Sequence, residues 1–83
     1  MTQIEKLFAQ LVANRGSIRF RDFQRILEAF GFSLERVNGS HHVYRHRAAS
    51  RPLSIQPRSN RAKPYQVDQF LDIVEEFGLK IGK

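Results

Sequence analysis

At Gly31 the apolar residues of this chain change their period, and that change constrains the fold more than any other feature. Before it, Ile4, Leu7, Phe8, Leu11 and Val12 recur at the spacing of one helical face, and Phe23, Ile26, Leu27 and Phe30 repeat the pattern. After it, Phe32 and Leu34 alternate with Ser33 and Glu35, as strand residues do. Asn38-Gly39 is a hairpin turn signal, and His42-Val43-Tyr44-Arg45-His46 continues as a second strand. Leu53-Ser54-Ile55-Gln56, between Pro52 and Pro57, gives a third. The helical period returns with Val67, Phe70, Leu71, Val74 and Phe77, entered by Pro64 where its missing N–H would be unpaired anyway. The order α-α-β-β-β-α is an α+β fold: a three-stranded antiparallel sheet with helices on one face, the other face free.

Short polar signals punctuate these elements. Thr2 and Glu5 have the spacing of a capping box, which satisfies two unpaired backbone donors at a helix start. Asn14-Arg15-Gly16 is expected to stop the first helix through a left-handed residue, and Gly31 and Gly78 to stop the others. The periodic Phe residues form the expected core; the burial of Phe32 and Tyr44 is left open. With 83 residues, the chain has room for a single domain over 1–83. It has no cysteine, so neither a disulfide nor a thiolate metal site supplements the core, and a reducing cytoplasm is the expected compartment. Its opening residues lack the basic start and apolar run of a secretory signal, and no stretch is apolar enough to span a membrane, so no membrane partner is expected.

The formal net charge is +6, and its distribution says more than its sum. From Arg36 to Val67 there is no acidic residue, whereas Arg36, Arg45, Arg47, Arg51, Arg58, Arg61 and Lys63 are all basic. This middle third reads as a phosphate-binding surface. The plainer alternative is a solvated basic face with no polyanionic partner.

Inside that segment lies Gly39-Ser40-His41-His42, at the bend between the first two strands. Histidine both takes and gives a proton near neutral pH, because its ordinary pKa is about 6.5. RNA cleavage asks little more: the substrate's 2'-hydroxyl attacks the adjacent phosphate once deprotonated, and cations stabilise the growing charge. A metal site is not expected. His42 and His46 on one strand face would stand roughly 13 Å apart, too far to share one zinc ion. His41 points the other way, and the acidic residues lie elsewhere. No cofactor motif, carboxylate pair, glycine-rich phosphate loop or serine nucleophile motif is present. On residue type alone, His41 reads first as a turn histidine bonded to backbone.

A resemblance changes that reading. Gly31-Phe32, followed by Arg36-Val37-Asn38-Gly39-Ser40-His41-His42-Val43-Tyr44-Arg45-His46, resembles the signature hairpin of HicA toxins. Ala62-Lys63-Pro64-Tyr65-Gln66-Val67 resembles the start of the last helix in one branch of that family, and Ile18-Arg19-Phe20 leads similarly into the second helix. The similarity covers a core of about 18–79, with an extra helix over about 2–14. It implies a double-stranded-RNA-binding-like fold, messenger RNA cleavage without a metal, and a HicB-like antitoxin that covers the active site. It also implies that His41 is catalytic, with Gly39 and Ser40 shaping its turn. Arg47 where family members often have Pro, the longer Ala48-Ala49-Ser50-Arg51 loop, Arg21 in place of a capping Ser, and the first helix depart from the family pattern.

The leading expectation is therefore an endoribonuclease toxin. His41 acts as general acid or base, His42 and His46 are candidates to assist it, and Arg36, Arg45, Arg47, Arg58, Arg61 and Lys63 bind RNA phosphates. A non-catalytic RNA-binding module is the alternative, since shape-based recognition of duplex RNA uses such a fold and charge. In a third reading the chain works mainly through its antitoxin in a DNA-binding repressor complex, touching DNA only indirectly.

Overall fold

A computed structural model describes residues 2–82. The elements are α1 (Gln3–Ala13), α2 (Phe20–Ala29), β1 (Ser33–Asn38), β2 (His41–Arg45), β3 (Leu53–Ile55) and α3 (Pro64–Phe77), in the α-α-β-β-β-α order expected. The strands form one antiparallel sheet in the order β1-β2-β3.

Local chemistry explains most of the boundaries. The Thr2 N–H donates to Glu5 Oε1 at 2.9 Å, and the Glu5 N–H donates to Thr2 Oγ1 at 3.2 Å, a reciprocal cap at the start of α1. Its other end departs from expectation. Asn14 has an extended backbone at φ −149° and Gly16 is not left-handed; the Asn14 carbonyl instead accepts from the Ser17 N–H and hydroxyl, closing a polar turn. Gly31 and Gly78 do end α2 and α3 with positive φ, at +98° and +64°. The hairpin bends at Gly39-Ser40, one residue later than Asn38-Gly39, because Asn38 pairs with His41 across the strands. β2 accordingly runs His41–Arg45, and His46 lies beyond it.

Side chains alternate across the sheet. Tyr44, Leu53 and Ile55 face the helices and join Leu11, Phe23, Ile26, Leu27, Val67, Phe70 and Ile73 in one core. Both Phe32 and Tyr44 are buried. Phe70 is the hub, making edge contacts with Phe23, Phe30 and Phe32 at ring separations of 5.7, 5.3 and 5.9 Å. A bulge between Leu34 and Arg36 interrupts the alternation of β1. β1 is an edge strand, and its Leu34 and Val37 remain exposed. No helix among the described residues is long and apolar enough to cross a membrane.

Candidate active site

The hairpin end presents two adjacent histidines to opposite sides of the sheet. Gly39 has φ +64°, a conformation that disfavours side chains, and open space surrounds its α-carbon. Ser40 follows, and its hydroxyl accepts from Gln56 Nε2 at 3.3 Å. The Gln56 backbone N–H in turn donates to Oε1 of the buried Gln66 at 2.9 Å. A relay of two glutamines thus ties the turn to the first turn of α3.

His41 begins β2 on the face away from the helices, and its side chain is exposed. Arg36 and Arg45 occupy the same face, opposite and along the strand. Both lie against Glu35: Arg45 Nε donates to Oε1 at 2.9 Å, and an Arg36 nitrogen stands 3.8 Å from the same oxygen.

His42 is half-buried on the helix side. Its Nδ1 is 3.1 Å from the Ser40 carbonyl oxygen. A carbonyl only accepts, so Nδ1 carries the proton, and Nε2 of the neutral ring keeps its lone pair. The ring stands edge-on to Phe20 at 5.1 Å. It opens on a cleft of about 660 Å³ lined also by Arg19, Arg21, Gln24 and Arg61.

His46 is separated from the turn by the length of β2, and its two nitrogens are taken by backbone. Nδ1 accepts from the Ala48 N–H at 2.9 Å, which requires the proton on Nε2, and Nε2 donates to the Phe30 carbonyl at 2.8 Å. The structure gives this ring a different task from the assisting one expected: it caps the end of α2. Arg47 lies beside it at that far end. The expected basic residues therefore form separate groups. Arg36 and Arg45 accompany His41, Arg61 accompanies His42 with Arg58 in the same turn, Lys63 stands at the N-cap position of α3 without a side-chain capping bond, and Arg47 is remote. Arg19, Arg21 and Gln24 escaped sequence reasoning, because they lie outside the acid-free segment and next to Asp22. Only the docking of the 58–61 turn on the start of α2 brings them to His42. Among the described residues, no three His, Asp or Glu side chains cluster to suit a metal ion.

Fold and site together define a small basic α+β domain with an imidazole on each side of one hairpin end and guanidinium groups near both. The chain belongs to the family of HicA toxins of bacterial toxin–antitoxin systems, whose model matches residues 20–78 and leaves α1, the 14–19 connection and the chain ends outside. It is thus the toxin of such a pair, with a cognate antitoxin as its partner. Searches of curated proteins and of solved structures returned no match.

Proposed function

We propose that this toxin is an endoribonuclease that cleaves messenger RNA in the cytoplasm, with His41 as general acid or base and with no metal or cofactor. The observation that carries the reading is the placement of His41: a solvent-facing imidazole directly after a turn fixed by a left-handed Gly39 and by the Gln56 bond to Ser40. In the reaction, His41 takes the proton of a 2'-hydroxyl, the 2'-oxygen bonds to phosphorus, and the bond from phosphorus to the 5'-oxygen breaks as that oxygen takes a proton from solvent water. Arg36 and Arg45 lie on the same face, where an RNA phosphate competes with Glu35 for them. Arg58, Arg61 and Lys63 extend the positive surface that receives the strand, and Arg47 meets a phosphate further along it, beyond the far end of β2. A HicB-like antitoxin covering the hairpin end silences the enzyme, and DNA is reached only through that complex.

Cleavage by this route leaves a 2',3'-cyclic phosphate and a 5'-hydroxyl. Replacing His41→Ala is expected to lower cleavage by about 10²- to 10⁴-fold and to relieve growth inhibition while circular dichroism stays unchanged. Full cleavage by the variant, or products with 3'-hydroxyl ends, contradicts the proposal. Salt-sensitive RNA binding with no turnover identifies the protein as a binding module instead.

A further inference from the structure

We propose that the cleft between α2 and the 58–61 turn is a subsite for a nucleotide of the RNA strand, bound through its phosphate by Arg19, Arg21 and Arg61 and through His42. The inference rests on the RNA substrate of the proposed function and assigns a second contact region to it.

Three observations carry it. The first is the pairing of the arginines. Arg15 meets Asp68, Arg25 meets Asp22, Arg51 meets Glu76, and Arg36 and Arg45 share Glu35. Arg19, Arg21, Arg47, Arg58 and Arg61 have no carboxylate partner among the described residues, and three of these, Arg19, Arg21 and Arg61, line the cleft, where no carboxylate does. Guanidinium groups lining one cleft without a counter-charge suit an anionic ligand, and their planar forks match phosphate oxygens.

The second is construction. Arg58 and Arg61 exchange both backbone hydrogen bonds, at 2.9 and 3.0 Å, across Ser59 and Asn60, whose φ values of +52° and +65° are uncommon for residues with side chains. The Asn60 carbonyl accepts from the Phe20 N–H at 2.9 Å, the Ala62 N–H donates to the Ile18 carbonyl at 3.0 Å, and Arg61 donates to the Ser17 carbonyl at 2.9 Å. The wall of the cleft is therefore clamped to the start of α2 before any ligand arrives.

The third is His42 itself. Its proton is committed to Ser40 through Nδ1, so Nε2 is left to accept from a ribose hydroxyl or, when protonated, to donate to a phosphate. A volume near 660 Å³ is ample for one nucleotide. The cleft and His41 lie on opposite sides of the same hairpin end, so a strand cut at His41 reaches the cleft by wrapping around the turn.

The test uses the full chain carrying His41→Ala, which is expected not to cleave, and a short RNA oligonucleotide that keeps its 2'-hydroxyls. Titration is expected to shift the His42 ring resonances and the amides of residues 19–21 and 59–61. Adding Arg19→Gln and Arg21→Gln is expected to weaken binding and to make the slope of log K against log salt shallower by up to about 0.7, the contribution of one single-strand phosphate. In protein with His41 intact, the same pair should raise KM far more than it lowers kcat. Both side chains are exposed, so folding is expected to survive, and circular dichroism checks it. Unaltered affinity and KM in the double variant, with RNA shifts confined to the His41 face, overturn the subsite and leave the nuclease standing. RNA neither bound nor cut overturns both.

Discussion

Gly31 and Gly39 both adopt positive φ, yet a methyl group at each would meet different surroundings. At Gly31 a Cβ would stand 2.9 Å from His46 Nε2, the atom that caps α2, so both backbone and contact oppose it. At Gly39 nothing lies within 4 Å, and only the backbone objects. Gly39→Ala is therefore expected to cost about 1–2 kcal/mol and Gly31→Ala more, as read by urea denaturation; equal costs would show that the His46 contact is slack. Tyr44 makes a separate prediction. Burial pushes its phenol above the ordinary value of 10.0, the hydrogen bond from Gln24 opposes this, and Glu28 adds to it. A raised folded-state value favours the protonated form in the fold. This contribution is complete below about pH 10 and is lost as pH rises through the folded value. Stability should thus fall less steeply in alkali for Tyr44→Phe than for the parent, and parallel curves would contradict the assignment. Gly-Ser-His placed His41 next to the turn, but the backbone-bonded histidine read from residue type is His42, and the tasks of His42 and His46 depend on carbonyls that no local pattern names.

Among the elements, α1 lies outside the family match but not outside the core. Its Leu11 is completely buried, and Phe8 packs on Phe30 of α2 at 5.1 Å. Leu11→Ala is expected to destabilise the fold by about 2–5 kcal/mol, measured by thermal or denaturant unfolding; a cost below 1 kcal/mol would mark α1 as loosely attached. The element order was readable because each period of apolar residues reports which face is covered. Thr2 and Glu5 marked the start of α1 for the same local reason. The end of that helix was not readable, since Asn14 is held by Ser17 in place of a left-handed residue. Nor was the burial of Gln66. A glutamine among Tyr65 and Val67 looks solvent-facing until the Gln56 N–H, which β3 brings over it, supplies the missing partner. The bulge in β1 and the exposure of Leu34 and Val37 likewise follow from an edge position that alternation alone does not disclose.

At the scale of the molecule, a net charge of +6 is not one uniform field. Carboxylates partner the arginines on several surfaces, and the two sides of the hairpin end differ: Glu35 tempers the His41 side, while no carboxylate of the described residues lines the cleft on the His42 side. The acid-free middle third marked a basic surface in the sequence but not this division, because Arg19 and Arg21 reach the His42 side from another part of the chain. The most direct measurement of the account uses a defined RNA oligonucleotide in which the nucleotide 5' to the cleavage point carries a 2'-hydrogen in place of its hydroxyl. The purified toxin, with a chelator present, should cut the all-ribose strand and leave the single-deoxy strand whole. Equal cleavage of the two strands would show that the 2'-oxygen is not the nucleophile, and the chemistry assigned to His41 would be wrong.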